Sequence, residues 1–137
     1  PGLRFGSGQA KNTCKEMSEK LGERILFITD KGLMSLGLTD PTIKELQKNG
    51  SVEVFDDVEA DPSQKTLLNA IEIGKKIKAT GVIGFGGGSS MDVAKLSALI
   101  LGSNENLDEA WGVANAKGPR LPLVLIPVVH YHLMMGS

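Results

Sequence analysis

Three consecutive glycines, Gly86 to Gly88, stand between an apolar run and an apolar helical pattern in the segment GFGGGSSMDVAK. Glycine lets a ligand approach the backbone closely, and successive N–H groups in a glycine turn form a concave site for anions. A helix that begins directly afterwards adds unpaired N–H groups and the positive end of its dipole. The segment therefore predicts a diphosphate site at Gly87, Gly88 and Ser89, with a tight turn that binds no ligand as the alternative.

The two common phosphate-binding fingerprints fit this segment poorly. A Walker A loop carries a lysine and then Ser or Thr directly after its last glycine, whereas here Ser89 follows and Lys95 lies inside the helix. A GxGxxG dinucleotide fingerprint needs an acidic residue at the end of the next strand, about 20 residues on. Asp108 has that spacing but falls in a polar segment after a helix. The pattern therefore argues against a P-loop ATP hydrolase and against an ordinary Rossmann fingerprint.

Two aspartates earlier in the chain are candidates for the missing acid. Asp30 ends an apolar strand pattern, and a carboxylate there could accept hydrogen bonds from an adenosine ribose and repel a 2′-phosphate. Asp61 precedes Pro62 in the segment EADPS and would face the cofactor from a neighbouring loop. For both aspartates, a helix cap or a turn is the alternative interpretation.

An alternation of strands and helices must position these residues. Short apolar, β-branched runs predict strands, and apolar residues at helical spacing with capping and stop signals predict helices. Asp40 is expected to cap the second helix, and Pro62 is expected to open the third. Near-continuous hydrophobic strands separated by helices are typical of a parallel α/β sheet covered on both faces. The predicted strands are 24–30, 51–58, 82–85 and 120–129, and the predicted helices are 7–22, 39–50, 61–81 and 90–101.

Composition narrows the class of protein. The chain has 137 residues, of which 41% are hydrophobic and 23% are charged, which is typical of one globular domain. Its net charge of −1 argues against binding to nucleic acid or to an anionic membrane surface. No stretch approaches the roughly 20 apolar residues of a transmembrane helix. Cys14 is the only cysteine, which excludes an internal disulfide and favours the cytoplasm.

Five segments in one order and spacing resemble the N-terminal, nucleotide-binding half of the iron-containing (group III) alcohol dehydrogenases. The segments are FGSG (5–8), ITDKGLMSLGL (28–38), VEADPS (58–63), GFGGGSSMDVAK (84–95) and PLVLIP (122–127), with Asp92 as the acid of a GGGS-x-x-D element. The resemblance implies a Rossmann-like dinucleotide-binding domain over residues 1–127, without the helical metal domain that follows it in the family. By motif match, Asp30 would contact the adenosine ribose, Asp61 would lie near the cofactor, and Gly87, Gly88 and Ser89 would hold the pyrophosphate.

The same resemblance implies an NAD(P)-dependent oxidoreductase of a small alcohol or aldehyde, with NAD preferred to NADP. Iron or another divalent metal, held by one aspartate and three histidines, is expected only in a full-length family protein. We expect a cytoplasmic protein with no nucleic-acid or membrane partner, a possible homo-oligomer, and no activity from this chain alone. The alternative is a stand-alone nucleotide-binding or regulatory module without chemistry, and a phosphosugar-binding α/β domain is a more distant one.

The last ten residues, 128–137, depart from the family pattern. After its Ile-Pro the family usually continues with a polar, threonine-rich loop, whereas this chain has Val128, Val129 and His132. The hydroxyl contacts expected on the nicotinamide side are therefore missing. His130 and His132 would share one face of a strand, but two ligands are too few for a closed metal site. We predict an aberrant or truncated tail over this range.

Overall fold

The computed structural model describes residues 9–59, 62–103 and 120–127, and in these ranges four strands alternate with five helices. The strands are all parallel, in the order β2-β1-β3-β4, which confirms the predicted parallel α/β sheet. The elements are α1 (Gln9–Leu21), β1 (Arg24–Ile28), α2 (Lys31–Ser35), α3 (Asp40–Gln47), β2 (Ser51–Phe55), α4 (Gln64–Ile77), β3 (Gly81–Gly86), α5 (Gly88–Ser103) and β4 (Leu123–Pro127).

Helices cover both faces of the sheet, because successive side chains of a strand point to opposite sides. Phe27 of β1 packs on one face with apolar residues of α1, α2 and α3. Leu26 and Ile28 pack on the other face with residues of α4 and α5. The rings of Phe27 and Phe85 stack with their centroids 5.8 Å apart, which joins the central strands β1 and β3. These two strands therefore form a rigid support for the segments that follow them.

The strand order changes direction between β1 and β3. From β1 the chain passes through α2 and α3 to β2 on one side, and α4 then carries it back past β1 to β3. The two connections lie on opposite faces of the sheet. In open α/β sheets, ligands bind beyond the carboxyl ends of the strands at such a switch point. The segments after β1 and β3 are therefore the expected place for a site.

The predicted strands were too long at their ends. β1 ends at Ile28 and β2 at Phe55, whereas the sequence pattern extended them to 30 and 58. Beyond these ends, Asp30 and Asp57 still form an isolated antiparallel bridge, so the polar residues after the two strands remain side by side. β3 is longer than predicted because it includes Gly81 and Gly86, and β4 begins at 123 rather than 120.

The predicted helix starts also need correction. Thr39 occupies the cap position of α3 and Asp40 is its first residue, so the predicted Asp40 cap was wrong. α4 begins at Gln64 rather than at 61, because the Ser63 hydroxyl accepts a hydrogen bond from a backbone N–H in its first turn. α5 begins at Gly88, two residues earlier than predicted. α2 was not predicted, because five residues are too few for a helical period to be visible. The FGSG segment (5–8) and the tail 128–137 lie outside the described residues.

Candidate functional site

The glycines of the segment GFGGG differ in their backbone conformation and in the space around them. A Cβ on Gly84 would lie 2.6 Å from the Cβ of Ala94, so glycine here allows β3 and α5 to pack closely. Gly86 has a φ of +142°, a conformation that residues with a side chain rarely adopt. Gly87 and Gly88 have no positive φ, and a Cβ on either would meet no described atom within 4 Å. Among the described residues, neither backbone conformation nor packing requires glycine at these two positions. Their backbone borders open space.

A cleft of about 380 Å³ opens beside these two glycines, at the carboxyl ends of β1, β2 and β3. Residues from all three following segments line it, so parallel strands bring together parts of the chain that are far apart in sequence. Four of the five predicted site residues lie in its wall, and the fifth, Asp61, lies outside the described residues. The lining includes Asp30, Glu59, Gly87, Gly88, Ser89 and Ser90.

The N-terminus of α5 lies at this cleft. The carbonyl oxygen of Gly87 accepts the N–H of Met91 at 3.1 Å, so the first turn of the helix closes on the glycines. The first N–H groups of a helix have no partner within it, and they carry the positive end of the dipole. The first turn of α5 holds no acidic side chain that would compete for them. The arrangement therefore favours an anionic group in the cleft.

Asp30 has a structural contact as well as a place in the cleft. Its Oδ1 accepts the backbone N–H of Leu33 at 2.8 Å and caps α2. The helix-cap interpretation of Asp30 is therefore correct as far as Oδ1 is concerned. Among the described residues, no hydrogen bond to Oδ2 is formed, and Asp30 is half-buried in the wall of the cleft. One carboxylate can thus cap the helix with one oxygen and accept from a ligand hydroxyl with the other.

Glu59 is a cleft residue that the sequence did not single out as part of the site. Its Oε1 accepts hydrogen bonds from the hydroxyl of Thr66 and from the N–H and hydroxyl of Ser63, the residues that begin α4. The Thr66 hydrogen bond is the main cause that lowers the pKa of Glu59, and the Ser63 backbone N–H adds to it. Glu59 is therefore a charged carboxylate at neutral pH, fixed in position at the rim. Its place after β2, at the same sheet edge as Asp30, is the signal that could have identified it.

Lys31 binds two carboxylates beside the same rim. Its Nζ lies 3.3 Å from Oδ1 of Asp56 and also contacts Oδ1 of Asp57, both of which directly follow β2. Hydrogen bonds from Lys31 to Asp57 and then to Asp56 raise the pKa of the lysine. The two aspartates lie beside Asp30 because Asp30 and Asp57 are bridge partners. The cleft is therefore lined by the carboxylates of Asp30 and Glu59, and the ion-paired cluster of Lys31, Asp56 and Asp57 lies next to Asp30.

Two other residues of the GGGSSMDVAK segment lie away from the cleft lining. Asp92 and Lys95 are both exposed on α5 and do not line the cleft. Within residues 9–59, 62–103 and 120–127, no group of three His, Cys, Asp or Glu side chains could hold a metal ion. These ranges do not fit a metal cofactor, and no chemical step through a metal is assigned to them. In the same ranges no helix is long and apolar enough to cross a membrane.

The parallel sheet, its switch point and the glycine-lined helix terminus define an α/β domain of the nucleotide-binding type. Residues 1–130 match the iron-containing alcohol dehydrogenase family. The chain belongs to this family, which confirms the resemblance drawn from the five sequence segments. The match includes residue 127, where the dinucleotide-binding domain was predicted to end, and three residues beyond it.

Among curated relatives, long-chain-alcohol dehydrogenase 1 of Geobacillus thermodenitrificans is 34% identical over 89% of this chain and 32% of its own length. Among solved structures, an iron-containing alcohol dehydrogenase of Thermotoga maritima is 33% identical with a TM-score of 0.72, over 82% of this chain and 32% of that one. Sulfoacetaldehyde reductase of Bifidobacterium kashiwanohense, solved in complex with NAD+, is 28% identical with a TM-score of 0.73, over 90% and 33%. The chain thus spans about a third of the length of the proteins it matches.

Proposed function

We propose that this chain forms the NAD-binding domain of an iron-type alcohol dehydrogenase. The observation that carries the proposal is the open space beside Gly87 and Gly88 at the N-terminus of α5. Neither packing nor backbone conformation requires glycine at these positions. The physical reason that remains for glycine at both positions is close contact between a ligand and the backbone.

Each residue of the cleft has a proposed task in cofactor binding. The backbone of Gly87, Gly88 and Ser89 binds the pyrophosphate, whose negative charge the helix terminus stabilises. Asp30 accepts hydrogen bonds from the adenosine ribose through the oxygen that does not cap α2. The same carboxylate repels a 2′-phosphate, so NAD is preferred to NADP. Asp61 keeps its expected place near the cofactor as a proposal from the motif alone.

The proposed reaction of the whole protein is hydride transfer between a small alcohol, or the corresponding aldehyde, and the nicotinamide. When bound, the cofactor supplies the hydride chemistry. The described residues of the cleft are proposed to bind and orient the cofactor, and none of them is assigned to proton transfer or to binding of the alcohol. The metal of the family is proposed to bind outside this domain. A cytoplasmic location and a homo-oligomeric assembly remain predictions.

A titration of the purified chain tests the cofactor assignment. We expect binding of NAD that is tighter than binding of NADP or of a sugar phosphate. Gly87→Ala places a methyl group in the phosphate space and should weaken NAD binding at least tenfold, or about 1.4 kcal/mol. Because a Cβ at this position meets no described atom within 4 Å, the free energy of unfolding should change by less than about 0.5 kcal/mol.

Two results of this titration, and one result with a longer form of the protein, would change the proposal. Absence of NAD binding up to millimolar concentration would contradict it. Binding of a sugar phosphate without binding of NAD would favour the phosphosugar-binding alternative. NAD binding by a longer form of the protein that oxidises no alcohol would favour the stand-alone module.

A further inference from the structure

The charges beside the proposed ribose position form a second structural feature that bears on cofactor choice. Asp30 and Asp57 are antiparallel bridge partners, so the segment after β2 lies directly against the residue proposed to contact the ribose. Lys31, the next residue after Asp30, is the amine nearest in sequence to that position. Its Nζ is held by the carboxylates of Asp56 and Asp57.

We propose that Asp56 and Asp57 are specificity-determining residues that keep Lys31 from binding the 2′-phosphate of a dinucleotide. This inference rests on the proposed function, because it assumes that the ribose binds at Asp30. The repulsion between Asp30 and a 2′-phosphate is one cause of discrimination between the cofactors. The neutralisation of the neighbouring Lys31 ammonium by Asp56 and Asp57 is a second cause. The ligand class that it rejects is a 2′-phosphorylated nicotinamide dinucleotide.

The electrostatics of the rim support this assignment. A phosphate monoester carries a charge of about −1.5 to −2 at pH 7, so it seeks an ammonium group and is repelled by carboxylates. Here the Lys31 ammonium contacts the carboxylates of Asp56 and Asp57, and two further carboxylates, those of Asp30 and Glu59, line the neighbouring cleft. A bound 2′-phosphate would therefore have to displace the carboxylates from Lys31 and then remain close to them.

The side chains of Lys31, Asp56 and Asp57 are all accessible to solvent. The side chains of Lys31 and Asp57 are 70% and 63% exposed, and the side chain of Asp56 is 36% exposed. Exposed ion pairs are weak and their partners exchange readily. If the two aspartates lost their charge, Lys31 would be free to turn towards an incoming phosphate. The aspartates are thus expected to act on ligand choice more than on stability.

The test uses the chain in an Asp30→Asn background. Asparagine retains an acceptor for the cap of α2 but removes the repulsion that would otherwise dominate. In this background, Asp56→Asn together with Asp57→Asn should strengthen NADP binding about tenfold, while NAD binding changes less than twofold. Adding Lys31→Met should reverse the gain, because the phosphate then has no ammonium to bind. All titrations are done at one low ionic strength, since salt screens exposed charges.

A matched charge control is available at the other end of the sheet. Glu19 and Glu45 lie near the C-termini of α1 and α3, on the side where the strands begin. Glu19→Gln with Glu45→Gln changes the net charge by the same amount and should leave the ratio of NADP to NAD affinity unchanged. An equal gain in this control, or a gain that survives Lys31→Met, would overturn the inference.

The outcome also separates this inference from the proposed function. If the unmodified chain binds NAD and the aspartate variants leave NADP affinity unchanged, the inference fails and the cofactor assignment stands. If the unmodified chain binds no NAD, the proposed function fails and the inference fails with it. Circular dichroism of each variant verifies that the fold is retained before any affinity is compared.

Discussion

At the scale of single residues, Asp30 shows how one carboxylate can serve both the fold and a ligand. Its Oδ1 caps α2, while the residue also lines the cleft that holds Gly87 and Gly88. The sequence pattern offered these two roles as alternatives, but the two oxygens of a carboxylate allow both at once. A substitution that separates the roles is therefore more informative than removal of the side chain.

Asp30→Asn and Asp30→Ala should differ in a defined way. Asparagine is as good a helix cap as aspartate, so Asp30→Asn should keep the free energy of unfolding within about 0.5 kcal/mol and reduce the preference for NAD over NADP. Alanine also removes the cap and should lower the free energy of unfolding by about 0.5–2 kcal/mol. Urea unfolding and cofactor titration of both variants measure the two effects. Equal stability of the two variants would show that the cap contributes nothing.

At the scale of elements, the unit formed by β3 and α5 combines close packing with an open helix terminus. Gly84 lies against Ala94, with Leu125 of β4 next to it, so this glycine sets the distance between strand and helix. Gly87 and Gly88, only a few residues on, have open space around them. The same residue type therefore serves packing at one end of a short motif and ligand access at the other.

Gly84→Ala should destabilise the domain without any ligand present. The added Cβ would lie 2.6 Å from the Cβ of Ala94 and 3.1 Å from Cδ2 of Leu125, so strand and helix must move apart. Overpacking of this kind costs about 1–3 kcal/mol. Urea unfolding measures the loss, and Gly87→Ala is the matched control that should unfold like the unmodified chain. A Gly84→Ala variant as stable as that control would contradict the packing role.

At the scale of the whole molecule, the described residues form a sheet with helices on both faces and one cleft at its strand switch. The chain spans about a third of the length of the curated relatives that it matches. In the described ranges no cluster of side chains could hold a metal. Under the proposed function, this domain would bind the cofactor, and the metal and the alcohol site would belong to the remainder of a family protein.

The chain by itself should bind NAD and produce no NADH from an alcohol. The physical reason is that the proposed site holds the cofactor but contains no group that binds or activates the alcohol. The measurement is NADH absorbance after addition of NAD, a small alcohol and Fe²⁺, with a full-length family dehydrogenase as positive control. Alcohol-dependent NADH formation above the metal-only background would overturn the proposed inactivity.

The sequence predicted the parallel α/β class and the glycine site because both depend on local patterns. Apolar runs identify buried strands, and a glycine cluster before a helix identifies a backbone that a ligand can approach. Element ends were less predictable, as at Asp30 and at α4, because the final hydrogen bonds of a strand or helix depend on neighbours that the pattern does not contain. The short helix α2 was missed because five residues are too few to show a helical period.

By itself, then, the sequence determined the class of fold and the family, and it predicted which residues would bind a phosphate. Only the tertiary structure decided that a side chain on Gly87 or Gly88 would contact none of the described residues, because that depends on the atoms around them. It also decided that Glu59, Asp56 and Asp57 stand beside Asp30, although nearly thirty residues separate them in sequence. The physical reason is the parallel sheet, which gathers the carboxyl ends of neighbouring strands at one edge while the chain between them crosses its faces.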